Sequence, residues 1–175
     1  MKKVSLKLPL EDKHSNLWGF HFRIPKNVAD NFTEGKNKRV VATFNHSVKN
    51  HCAIMPSPKG PFIKLNKSIV KELNIQVGDV VTIELEKDTS TYGTPISEEF
   101  EAVIFSDAAV FNYFQALTPG KQRNLIHLVN KIKNTDIKIN RSMAIAQHLM
   151  DVKGMLDFKQ LNETIKEYNQ KHKLI

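Results

Sequence analysis

The chain of 175 residues contains a single cysteine, Cys52, which excludes an internal disulfide framework and suits a reducing cytoplasm. No stretch of about eighteen consecutive apolar residues occurs, so no membrane-spanning helix is expected. The opening segment, MKKVSLKLPLEDKH, has lysines but no apolar core or small-residue cleavage site, and is not expected to act as a signal peptide. Cys-x-x-Cys, His-Glu-x-x-His, a phosphate-cradling glycine loop and a serine elbow are all missing. These absences remove the commonest routes to metal, nucleotide and acyl-transfer chemistry. Arginines are few against the lysines, and no repeat of solenoid length is visible.

Other residues that suggest chemistry have simpler explanations. His46, His51 and Cys52 lie close in sequence, but a zinc site needs three or four ligands at defined spacing. A nucleophilic Cys52 would need an orienting base, so a buried, inert thiol is expected. Asp79 follows Gly78 in a turn, where an aspartate bonds neighbouring amides. Glu98, Glu99 and Glu101 suit the first turn of a solvated helix. The sequence therefore predicts no enzyme, no cofactor and no metal.

What the chain does have is 41% hydrophobic and 25% charged residues, enough to bury a core. Its net charge is +8 and its pI about 9.5. Residues 1–90 carry 15 basic against 9 acidic residues, and residues 91–175 carry 11 against 9. A basic balance favours nucleic acid or another polyanion as a partner. Scattered lysines are equally the mark of a well-solvated surface.

The organising stretch is Leu65 to Asp88, LNKSIVKELNIQVGDVVTIELEKD. Asn66 is placed to cap a helix of two turns, with Leu65 and Val70 as a hydrophobic staple. Gly78 supplies the positive φ of a turn, and Val81, Ile83 and Leu85 then alternate with polar residues as a half-buried strand. Upstream, Val4, Leu6 and Leu8 mark a strand. Leu17–Ile24 predicts a second, with Trp18, Phe20, Phe22 and Ile24 on one face and His21 and Arg23 on the other. A short helix through Val28, Ala29 and Phe32 is stopped by Gly35, and Arg39–Phe44 is a third strand. His51–Met55 is a candidate strand before the loop of Pro56, Pro58, Gly60 and Pro61; Phe62–Leu65 is a short strand.

Thr89–Ser97 is the linker candidate. Beyond it the spacing is helical: Ser106 is placed as a cap before Val110, Phe111, Phe114 and Leu117, and Pro119 opens a second helix with Leu125, Leu128, Val129 and Ile132 inward. After Asn134-Thr135, Ile139, Met143, Ala146 and Met150 predict the inner face of a third helix ending at Gly154. Asp157 caps the last helix, with Phe158, Leu161, Ile165 and Tyr168 inward.

The fold class expected is α+β. It is a small N-terminal β-barrel with two short helices over residues 1–90, followed by a C-terminal bundle of three to four helices. Residues 91–105 are linker and helix start, 106–150 the main helical segment, and 151–175 a terminal amphipathic helix.

Trp18 to Pro25, Arg39 to Phe44 and KELNIQVGDVVTIELEKD, with Ala108-Ala109, Phe114 and LTPGKQR from Leu117 to Arg123, resemble the bacterial proteins described as bacteriocin-protection, YdeI or OmpD-associated. The resemblance covers most of residues 1–150. It implies an N-terminal barrel domain of unknown function joined to a helical segment, with no established reaction. The chain departs from that pattern where Asp136-Ile137-Lys138 follows Thr135, since the family places basic residues there. The barrel also resembles the double-split barrels of DNA-binding antitoxins and transition-state regulators, a likeness of fold alone.

Two binding readings follow for a cytoplasmic, non-enzymatic protein. The first is a small-molecule or protein ligand, met by Trp18, His21, Arg23 and Arg39. The period-two spacing of the aromatic residues also fits a plain barrel core. The second is nucleic acid, met by Lys121, Arg123, Lys131, Lys133, Lys138 and Arg141, where residues 119–141 hold six basic side chains and one acid. Lys36, Lys38, Lys59 and Lys64 would add phosphate contacts from the barrel loops. The terminal helix would cover the barrel or support a homodimer.

Overall fold

The computed structural model describes residues 3–12, 19–35 and 37–171. The chain is α+β and forms two compact units, Met1–Gly93 and Thr94–Ile175, whose division falls within the Thr89–Ser97 stretch.

Alternating apolar residues build the first unit. Its strands are β1 (Lys3–Pro9), β2 (Glu11–Asp12), β3 (Phe20–Arg23), β4 (Arg39–Phe44), β5 (Val48–Ala53), β6 (Phe62–Lys64) and β7 (Val80–Lys87). Two short helices, α1 (Lys26–Asn31) and α2 (Lys67–Glu72), interrupt them. All named pairings are antiparallel, in a four-stranded sheet of order β1-β7-β4-β5 and a three-stranded sheet of order β2-β3-β6. The expected barrel is thus built as two sheets, and among the described residues their ladders do not run on into one closed ring. Leu10 carries the chain directly from β1 into β2, and an isolated bridge between Met55 and Phe62 lies beside β6. Leu10 donates to the Asp79 carbonyl and accepts from the Gly78 amide, both at 2.9 Å. Gly78 has the positive φ of +96° that this turn requires.

The core fills from Val81, Ile83 and Leu85 of β7, Val40, Ala42 and Phe44 of β4, and Phe22 of β3. The Phe22 and Phe44 rings stack at 5.7 Å. Burying each such ring contributes about 1.5–3 kcal/mol. Leu65 and Val70 join this core, as a staple around α2 requires. Asn66 occupies the cap position, but its side chain accepts no amide hydrogen bond. The candidate strand at His51–Met55 lies earlier, at Val48–Ala53, because the tight turn at Asn45 and His46 (φ +46° and +56°) returns the chain at once. Trp18 lies outside the described residues.

The second unit is helical: α3 (Glu98–Ser106), α4 (Ala108–Ala116), α5 (Pro119–Asn130), α6 (Thr135–Asp151) and α7 (Phe158–Lys171). The described residues of this unit thus hold five helices, one more than the upper expectation. The additional one is α3, which fills much of the 91–105 stretch expected as linker and helix start. Ser106 closes α3, and Asp107 caps α4 by accepting from the Ala109 and Val110 amides at 2.8 and 3.0 Å. Ser97, Asn134 and Asp157 likewise accept first-turn amides. Phe100, Ile104, Phe114, Leu125, Ile126, Val129, Ile145 and Leu149 are fully buried. The expected inner face of α6 is a correction: Ile139, Met143 and Met150 are 37%, 42% and 41% exposed. Ser142, Ile145, His148 and Leu149 face inward instead.

Candidate functional site

Strand β3 is buried on both faces. Phe22 packs in the core, as alternation requires, but His21 on the opposite face is only 1% exposed. His21 lies on the face opposite Phe22, as expected, and is enclosed there: the ring meets the edge of Phe62 at 5.5 Å and contacts the Gly19 carbonyl through Nδ1 at 2.9 Å. Its Nε2 lies 3.5 Å from Glu11 Oε2. Glu11, on the paired strand β2, is the meeting point, because Arg23 donates to it through Nε at 3.2 Å and Nη2 at 2.9 Å. This guanidinium holds the Glu11 carboxyl below its usual range.

Arg23 has a third bond, from Nη1 to the Lys59 carbonyl at 2.8 Å. The arginine so anchors the proline loop. Within the loop the Ser57 hydroxyl donates to the Gly60 carbonyl at 2.7 Å and the Gly60 amide returns to the Ser57 carbonyl at 3.0 Å. Gly60 sits at φ +107°, a conformation that favours glycine. Against this loop α1 leaves a groove of about 330 Å³. Ala29 and Ile54 form its floor and Pro56, Pro58 and Pro61 its wall; Lys26, Lys38 and Asp30 supply charge, and Thr33 and Ser57 supply hydroxyls. Two lysines against one aspartate leave it weakly positive. Its volume and mixed lining fall within the range of small-ligand sites.

Arg39 belongs to a separate cluster at the end of β7. The Asp88 side chain is fully enclosed, and its Oδ2 lies 3.1 Å from His51 Nδ1 and 3.7 Å from Arg39 Nε. Its Oδ1 accepts from the Ser90 amide at 3.0 Å and hydroxyl at 2.5 Å. Burial pushes the carboxyl up, but the bonds from Ser90 and His51 outweigh burial and hold it below its usual range. Arg39 also donates to the Gly93 carbonyl. The cluster therefore ties residues 88–93 to β4 and β5. Cys52 on β5 is buried, and burial pushes its thiol up to about 12, far from a reactive thiolate. His46 turns to Glu84 at 3.1 Å, away from His51 and its Asp88 partner. Among the described residues no group of three or more His, Cys, Asp or Glu is placed to hold a metal ion.

The six basic candidates are spread over α5, the turn after it and α6. Lys121 and Arg123 stand in the first turns of α5, and Lys131 and Lys133 follow its far end, about 15–18 Å along the axis. Lys138 is paired with Glu99 at 3.2 Å. Arg141 is half-buried, and desolvation lowers its pKa. Of the candidate ligand residues, His21 and Arg23 meet through Glu11, while Arg39 joins Asp88. Sequence reading missed Glu11, Asp88 and Lys26 as members of clusters. Only Asp88-Thr89-Ser90, an aspartate two residues before a serine at a strand end, carries a local signal, because such an aspartate can bond its own downstream amide.

Residues 9–85, which take in β2 to β6, most of β7 and the proline groove but neither most of β1 nor Asp88 itself, match the family model DUF1905, a domain of unknown function. A search of curated proteins found no match. No helix among the described residues is long and apolar enough to cross a membrane.

Proposed function

We propose that the protein is a non-enzymatic binding protein whose first unit holds a small anionic ligand in the groove between α1 and the proline loop. The observation that carries this reading is the pairing of Lys26 and Lys38 with a rigid, prolyl-walled cleft. Arg23 and Glu11 hold the loop in place, and the Ser57–Gly60 pair closes it. Little freedom is left for a ligand to freeze, which favours affinity from few contacts. The clusters around Glu11 and Asp88 are consumed by their own ion pairs and hydrogen bonds, which supports binding over catalysis.

The DUF1905 match supports membership of the bacteriocin-protection, YdeI or OmpD-associated proteins, in which that domain occurs. On this reading the ligand serves a protective or stress role in the cytoplasm, where the buried thiol of Cys52 persists reduced. Titrating 15N-labelled protein with citrate as the anionic probe tests the site. Shifts confined to Lys38, Ser57 and Gly60, abolished by Lys38→Glu, are expected. Shifts spread over lysines of both units would overturn it.

Nucleic acid is the second reading, supported by Lys121, Arg123, Lys131 and Lys133. Labelled DNA and RNA binding across a salt series separates the two. A steep salt dependence lost on Lys131→Glu/Lys133→Glu would move nucleic acid to the front.

A further inference from the structure

The outward stripe of α6 has a specific shape. Ile139 and Met143 lie one helical turn apart and, with Ala102 and Val103 of α3, line an open groove of about 500 Å³ in the second unit. Met150 continues the stripe two turns further, about 16 Å from Ile139. One end of the groove is acidic. Glu98 and Glu99 line it, and Glu101 stands exposed in the same first turn of α3. Lys138 fixes Glu99 in place at 3.2 Å but leaves Glu98 facing solvent.

These features together point to one kind of occupant. An apolar furrow between two helices is the seat used in helix-in-groove recognition, where a partner helix lays down residues at i, i+3, i+4 and i+7. Methionine suits such a seat because its unbranched, polarizable side chain adapts to the residue pressed on it. Ala102, with a single methyl, lets a partner backbone come close. The carboxylates at the end of the groove select the charge of the partner. A second copy of this chain would bring the same carboxylate rim to an isologous contact, with Lys138 already held by Glu99.

We propose that the α3–α6 groove docks a basic amphipathic helix of a partner protein. Its apolar stripe would rest on Ala102, Val103, Ile139 and Met143, and its lysines or arginines would reach Glu98 and Glu99. This surface is independent of the anion groove in the first unit and stands whether or not that groove binds citrate.

The test uses a fluorescent fourteen-residue peptide with leucine at helical spacing and lysine elsewhere. A peptide of the same composition in scrambled order and one with glutamate for lysine serve as controls. Saturable anisotropy change with the basic amphipathic peptide alone is expected for the full chain. Met143→Lys and Met143→Glu should each weaken it about tenfold or more, and Glu98→Lys several-fold, while Lys38→Glu leaves it unchanged. Met143 and Glu98 are solvent-facing, so helical circular dichroism and the melting midpoint should hold in all three variants. No binding, equal binding of the scrambled peptide, or tighter binding by Met143→Glu would overturn the proposal. A dimer in solution that Met143→Lys dissociates would assign the groove to a second copy and overturn it too.

Discussion

Arg23 grips Glu11 with two N–H groups and spends a third on the Lys59 carbonyl, so one guanidinium joins β2, β3 and the proline loop. Lysine carries the same charge but cannot form this fork. Arg23→Lys is expected to destabilise the protein by about 1 kcal/mol in urea unfolding, because the pair is partly exposed. Its larger effect is on the loop: proteolytic cutting near Lys59 should speed up, and citrate binding should weaken. Cutting unchanged from the parent would show that Arg23 does not hold the loop.

Asp88 gives stability a defined response to acid. Its folded-state pKa is lowered, so the unfolded chain takes up its proton first as pH falls. The contribution is present above the unfolded value of about 3.9 and is lost as pH drops through the lower folded value. Asp88→Asn removes the charge that His51 and Arg39 face, and should cost about 1–3 kcal/mol at pH 7. Denaturant curves of the two proteins should converge at pH 2. A constant gap across pH would mean that packing, not charge, is what Asp88 supplies.

His148 acts in the neutral range. It is 2% exposed between α6 and the start of α7, with its Nε2 facing the Asp157 amide at 3.4 Å. Burial lowers its pKa, and Asp157 and Asp151 offset this in part. A depressed histidine favours the folded state above the unfolded value of about 6.5 and costs stability as pH falls below it. His148→Gln should flatten the fall in melting midpoint from pH 7 to 5. An unchanged slope would exclude His148 as its source.

Gly154 is confined from two sides. Its φ is +78°, and an added Cβ would lie 2.9 Å from Cδ1 of Tyr113. Its amide reaches back to the Leu149 carbonyl at 2.8 Å, closing the end of α6. Gly154→Ala should cost about 1–3 kcal/mol, more than Gly60→Ala, where φ is also positive but the space is open. Adding Tyr113→Ala to Gly154→Ala should recover the steric share and leave the conformational share. Strict additivity in that cycle would place the two residues out of contact.

Most elements were legible because local signals agreed: β4, β6, α2, the Gly78 turn and β7 each combine the right period with the right punctuation. The helix start at Ser106 was misread because the following residue, Asp107, is an equally good cap, and only the fold decides between neighbours. On α6 two stripes share the helical period. The apolar one, Ile139 and Met143, faces out, while the inward one carries Ser142 and His148, which polarity alone assigns to solvent. Ser142 is satisfied by donating to the Lys138 carbonyl at 2.9 Å, so its burial costs little. The alternation of β3 puts His21 opposite Phe22, but it carries no sign that both are buried. Clusters around Glu11 and Asp88 draw on residues far apart in sequence, which no window of neighbouring residues can join.

The pairing of β1 with β7 sets Lys3 opposite Glu86 and Leu8 opposite Val81. The first strand of the unit thus waits for the last. On a ribosome β1 emerges with no ladder to join, and its row of backbone amides stays open until almost the whole unit has been made. Such distant closure makes folding slow relative to stability. Its alternating Lys3, Ser5 and Lys7, exposed in the finished fold, also keep the waiting strand from finding the wrong neighbour.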